Sequence, residues 1–275
     1  MLATLPAPRR AKEPRDAARV PKTSPWLVSW FGKYAHRYVR RHFHAVRVSQ
    51  GGMPARDIRG PLVIFGNHSS WWDPLIAIIL ARRFFPGREL FAPIDAAALA
   101  RYRFFERLGF YGVELESPRG GARFLRVSTA ILRKPDAMLW LTPQGRFADP
   151  RERPVRFKPG IGHLAAHTAQ AAGAVFLPVA AEYVFWQERT PEALIRFGTP
   201  LSVDGEPDDP HAWTHRLETA LAATQDALAR ESKSRDPSAF ETILSGRAGV
   251  GGVYDQWRKI RARLRGEVFE AKHGA

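Results

Sequence analysis

Three short apolar runs most limit what this chain can fold into: Leu62-Val63-Ile64-Phe65, Ala137-Met138-Leu139-Trp140-Leu141 and Val175-Phe176-Leu177-Pro178-Val179-Ala180-Ala181. Runs of four to eight apolar residues without polar alternation read as buried strands, and Gly66 closes the first. Helical stretches alternate with them. Residues 74–84 suit a helix with Asp73 as N-cap and Pro74 at the first helical position. Residues 95–108 suit another, stopped by Gly109, and residues 121–133 a third, ended by Pro135. Residues 161–172 and the long amphipathic stretch 211–230 complete the set. Further strands are expected at 89–94, 110–115, 182–186 and 194–197, and a loop dense in Pro, Gly and Arg at 143–160. The pattern predicts an α/β fold: a single layered domain over residues 55–230, with a mixed sheet flanked by helices.

The ends read differently. Residues 1–25 are rich in Pro, Ala and Arg and predict a disordered basic tail. Residues 26–50 predict an amphipathic basic helix, because Leu27, Trp30, Phe31, Tyr34 and Tyr38 recur at helical spacing with Lys33, Arg37, Arg40 and Arg41 between them. Such a helix can lie in a lipid headgroup layer or pack on the protein's own core, and periodicity does not separate the two. Residues 231–275 predict a basic helical extension, with its helix at 254–265.

The net charge of +15 is concentrated at those ends. Residues 1–50 hold 11 Lys and Arg against 2 Asp and Glu, and residues 246–275 hold 7 against 3. The body between them, with 24 against 22, is close to neutral. A nucleic-acid enzyme lines its working groove with cations, so no nucleic acid is expected as a partner. Basic ends suit an anionic membrane surface. No run reaches the roughly 18 apolar residues that span a bilayer. The expected place is therefore peripheral, membrane-associated on the cytoplasmic face. The absence of cysteine excludes disulfides, thiolate metal sites and a cysteine nucleophile.

The feature richest in chemistry is Asn67-His68-Ser69-Ser70-Trp71-Trp72-Asp73, directly after the first buried strand. α/β sheets place their sites at the carboxyl ends of strands. An Asp73 carboxylate accepting from one ring nitrogen of His68 would fix the tautomer and leave the other nitrogen to take a proton from a hydroxyl. The plainer alternative is a loop histidine beside a helix cap.

With its neighbours, this segment resembles the glycerolipid acyltransferase superfamily, whose members acylate glycerol phosphate or lysophosphatidic acid. The family's Asn-His-x4-Asp block is matched by Asn67, His68 and Asp73. Its Phe-Pro-Glu-Gly-Thr-Arg block has a counterpart in Thr142-Pro143-Gln144-Gly145-Arg146-Phe147, its Phe-Lys-x-Gly block in Phe157-Lys158-Pro159-Gly160, and its proline-centred strand in Val175-Phe176-Leu177-Pro178-Val179. The resemblance covers about residues 60–200. It implies attack of a lipid hydroxyl on an acyl thioester, from acyl-CoA or acyl-carrier protein, with His68 and Asp73 catalytic and no metal or other cofactor. It also implies an acceptor site among Gln144, Gly145, Arg146, Arg119 and Lys158. Two blocks depart from the pattern. The second has Val113-Glu114-Leu115-Glu116 with no arginine until Arg119, and the third has Gln144 for Glu and Arg146 one place early. The acceptor could thus be a lysophospholipid, a glycerol phosphate or a glycolipid. The departures also leave a second reading, a non-catalytic lipid-binding module that keeps the fold.

Three other signals are weaker. Gly160-Ile161-Gly162-His163-Leu164-Ala165 matches a dinucleotide fingerprint, but the charged, proline-broken segment before it is no buried strand. His163 and His167 have zinc-ligand spacing without an intervening Glu or a third ligand. Ser69 and Ser70 beside His68 lack the Gly-x-Ser-x-Gly elbow of a hydrolase.

Overall fold

The computed structural model describes residues 19–55, 57–171, 173–203 and 209–246. Most of the predicted tail at 1–25 and the helix at 254–265 lie outside them. In chain order the elements are α1 (Pro25–His42), β1 (Ala45–Ser49), β2 (Leu62–Gly66), α2 (Asp73–Phe84), β3 (Glu89–Asp95), α3 (Ala96–Arg101), β4 (Phe110–Val113), α4 (Pro118–Leu132), β5 (Ala137–Leu141), α5 (Gly160–Ala171), β6 (Val175–Val184), β7 (Glu192–Phe197), β8 (Leu201–Ser202), α6 (Pro210–Ser234) and β9 (Phe240–Ser245). The strands form one mixed sheet in the order β4-β3-β5-β2-β6-β7-β1-β9, with β8 paired to β6. From β4 to β6 all neighbours are parallel, whereas β7 runs against β6 and β9 against β1.

The uninterrupted apolar runs follow from helices on both faces. In β2, Leu62 and Ile64 point to one face, where they meet Met138, Leu177, Val179 and the buried sides of α1 and α2. Val63 and Phe65 point to the other, against Leu139, Phe176 and side chains of α4, α5 and α6. All four β2 side chains are fully buried. Each contributes about 1.5–3 kcal/mol of burial, so the central strands carry much of the stability.

Helix α1 shows two faces. Gly32, Ala35 and Val39 are buried, and a Cβ on Gly32 would lie 2.7 Å from Arg82 Cδ, so the small residue lets α1 cross α2 closely. Trp26, Trp30 and Tyr34 are exposed on the opposite side.

Several boundaries depart from the sequence reading. The segment 26–50 is not one helix. It ends at His42, and Ala45–Ser49 is strand β1, whose Val46 and Val48 are buried on either side of Arg47. Residues 95–108 form α3 and then a 3-10 segment, Arg103–Leu108, whose Phe105 sits edge-on to Phe31. Residues 110–115 are strand only to Val113, and the next helix starts earlier than 121, at Pro118, where Ser117 caps it through Gly120 N. Within 231–275, α6 continues to Ser234 and stops at Arg235 in the left-handed region (φ 54°), and Phe240–Ser245 joins the sheet as its edge strand β9.

Candidate active site

Strand β2 pairs with β6 as far as Gly66 opposite Val179, and β6 runs on for five more residues. Asn67 bridges that step. Its Oδ1 accepts from Ala181 N at 2.9 Å and its Nδ2 donates to Ala181 O at 2.9 Å, so the side-chain amide acts as one more peptide unit of the ladder. Asn67 is buried at 4% exposure, and either bond left unmade would strand a buried polar group. This anchor brings the following loop over the carboxyl end of the sheet.

There His68 Nδ1 lies 2.7 Å from Asp73 Oδ2. The same oxygen accepts from the amides of Ser69 at 2.9 Å and Ser70 at 3.0 Å. Asp73 therefore reaches back into the loop before α2 and is not the helix cap expected from the sequence; among the described residues no side chain caps α2. Its place in the first turn puts the carboxylate at the positive end of the helix dipole. Its other oxygen, Oδ1, accepts from Tyr183 Oη at 2.6 Å. Burial, then the adjacent carboxylate, pushes the Tyr183 hydroxyl well above its ordinary pKa, so Tyr183 is a neutral donor here. A carboxylate holding four donors in fixed directions orients the imidazole and presents Nε2 outward.

The third block packs against this pair. Gln144, buried, accepts from His68 N at 3.3 Å, and Ala148 N donates to His68 O at 2.8 Å. The Phe147 ring lies over the imidazole with centroids 4.2 Å apart. Gly145 takes φ +66°, and a Cβ there would stand 2.5 Å from Lys158 Cε, so the glycine admits both the turn and the lysine. Lys158 and Glu116 form an ion pair, which brings the end of the second block to the Phe-Lys-x-Gly block; Arg146 pairs with Glu152. The structure thus gathers His68, Asp73, Gln144, Gly145, Arg146 and Lys158. Arg119 is not gathered with them. It sits exposed in the first turn of α4 with no hydrogen-bond or ion-pair partner among the described residues.

The competing signals have structural explanations. A Cβ on Gly162 would lie 2.1 Å from Thr214 Oγ1, and one on Gly160 3.2 Å from Phe124, so these glycines admit close helix packing. His163 and His167 are exposed on α5, and no group of three or more His, Asp or Glu side chains suited to a metal occurs among the described residues. Ser70 Oγ accepts from Trp72 N at 3.2 Å and Ser69 Oγ from Asn67 at 3.4 Å, which makes both serines part of the turn. Tyr183 is the site residue the sequence did not reveal. It lies 110 positions from Asp73, and only the register of β6 beside β2 places it.

Comparison with known proteins adds three findings. No curated protein sequence matches the chain. A crystal structure of the 1-acyl-sn-glycerophosphate (LPA) acyltransferase PlsC from Thermotoga maritima is similar at 16% identity and a TM-score of 0.48, over 74% of this chain and 80% of that one. The profile of the acyltransferase family matches residues 39–182, just over half the chain, and its span takes in His68, Asp73 and the whole third block. On that match, the chain belongs to the acyltransferase family.

Proposed function

We propose that the chain is an O-acyltransferase that moves a fatty acyl group from an acyl thioester, on CoA or acyl-carrier protein, to a hydroxyl of a lipid acceptor. The observation that carries this reading is the 2.7 Å bond from His68 Nδ1 to a carboxylate already held by two loop amides and Tyr183. With Nδ1–H donated to Asp73, Nε2 holds the lone pair. It takes the acceptor's hydroxyl proton as the oxygen attacks the thioester carbonyl. The tetrahedral intermediate then expels the thiolate, which recovers that proton from the imidazolium. A positioned base of this kind contributes about 10²–10⁴ in rate. The main-chain amides of Arg146 and Phe147, which bond no acceptor among the described residues, are the donors we assign to the oxyanion. This chemistry calls on no metal or other cofactor.

Two finer features belong to the same reading. The acceptor is a lipid whose head group is not a simple phosphate monoester. A dianionic phosphate needs fixed cations of good geometry, while Lys158 and Arg146 are already paired with carboxylates and Gln144 is neutral. The acceptor is met at a membrane surface. Trp30 stacks on Tyr34 and Tyr34 on Tyr38 along α1, and Tyr38 meets Trp71 of the catalytic loop with centroids 6.4 Å apart. Lys33, Arg37, Arg40 and Arg41 flank this strip, all exposed. Aromatics beside cations suit a headgroup layer. No helix among the described residues is long and apolar enough to cross a membrane. The test is release of free thiol from an acyl thioester, measured with a panel of lipid acceptors. No release above the thioester's own hydrolysis with any acceptor would favour the non-catalytic lipid-binding module.

A further inference from the structure

We infer that Tyr183 is a positioning residue for the base: its hydroxyl decides which oxygen of Asp73 faces His68 and how much negative charge that oxygen presents. The inference rests on the general-base reading above. Among the described residues Asp73 Oδ2 receives three donors, His68 Nδ1 and the amides of Ser69 and Ser70, whereas Oδ1 receives only Tyr183, at 2.6 Å. Without that hydroxyl, one side of the carboxylate has no partner in a half-closed site, and the group is free to rock away from the imidazole. The hydroxyl also draws charge toward Oδ1, which moderates the pull of Oδ2 on the imidazolium.

The surroundings leave few other groups to do this. Phe43, from the end of α1, faces Tyr183 with ring centroids 5.8 Å apart, and Ala193 of β7 is its register partner. His42 lies against Trp72 with centroids 5.4 Å apart. The third block brings Gln144 and Phe147 to His68, and the nearby cations Arg146 and Lys158, the latter from the Phe-Lys-x-Gly block, are engaged by Glu152 and Glu116. Among the described residues, the ionisable groups hydrogen-bonded to the Asp73 carboxylate are thus His68 and Tyr183.

Tyr183→Phe removes the donor and keeps the ring. The measurement is the pH profile of kcat/KM, with kcat and KM taken separately, for thiol release with the best acceptor. Expected are a fall in kcat of about 10–100-fold, part of what the base itself contributes, and KM within about twofold of wild type. The acidic limb should move to higher pH, because an undivided carboxylate charge favours the imidazolium and the base is freed only at higher pH. Replacement of Tyr183 by 3-fluorotyrosine, a stronger donor of nearly the same shape, should move that limb the other way, and it decides the matter if Tyr183→Phe fails to fold. An unmoved limb in the fluorotyrosine enzyme, or wild-type kcat and limb in a folded Tyr183→Phe enzyme, would reduce Tyr183 to packing. Failure of the general-base reading shows itself separately, as activity that survives His68→Ala.

Discussion

Asn67 and Ala181 are joined by two hydrogen bonds of 2.9 Å, one in each direction, although 114 positions separate them. This side chain to main chain pair sets the height of the His68 loop above the sheet. Asn67→Ala should lower stability by about 1–3 kcal/mol, the cost of leaving buried peptide groups unpaired. Activity should fall further than the loss of folded protein explains, since His68 is the next residue. Thermal melting together with thiol-release rates on the folded fraction checks both parts; unchanged turnover per folded molecule would free the loop from this anchor.

His68→Ala should abolish transfer with little change in Tm, because the side chain contributes little to the core. A residual rate above about a tenth of wild type would contradict base catalysis. Asp73→Asn should be nearly as damaging while the fold survives. An amide can keep its oxygen toward the Ser69 and Ser70 amides, and Tyr183 can turn its hydroxyl to accept from the new Nδ2. What is lost is the charge that stabilises the imidazolium.

Acceptor choice should follow the ion pairs. Neutral glycolipids or lysophosphatidylcholine should be turned over faster than lysophosphatidic acid or glycerol 3-phosphate. The double substitution Glu116→Gln with Glu152→Gln frees Lys158 and Arg146 and should raise the rate with the phosphate monoesters. Efficient wild-type turnover of either monoester, abolished by Arg146→Ala, would restore the phosphate as the natural head group.

Membrane binding should depend on the exposed side of α1. Deleting the helix is the wrong test, because its Ala35 and Val39 belong to the core. Serine at Trp26, Trp30 and Tyr34 should weaken sedimentation with anionic vesicles about tenfold or more, and high salt should weaken it in the wild type. Equal binding by the triple variant would move the lipid contact elsewhere.

Gly162→Ala should destabilise by about 1–3 kcal/mol, as overpacking does, since the added methyl meets Thr214 Oγ1 and Pro210 O at 2.1 and 2.2 Å. Calorimetry checks the size. Binding of a nicotinamide dinucleotide by the wild type, lost in this variant, would instead return that glycine to a nucleotide site.

What the sequence determined by itself was local or buried. The central strands were legible because burial on two faces leaves no polar alternation to confuse them, as in Leu62-Val63-Ile64-Phe65. His68 and Asp73 were legible because five positions of chain bring them together with no help from the rest of the fold. Edge elements were not. Val46 and Val48 of β1 continue a basic helical pattern, and β9 is a strand of mixed exposure, so neither stands out until its neighbours β7, β1 and β9 are paired in register. The tertiary structure alone decided that Glu116 reaches Lys158 and that Tyr183 completes the carboxylate. The second depends on how far β6 outruns β2, a quantity set by sheet register over more than a hundred residues and invisible to any local pattern.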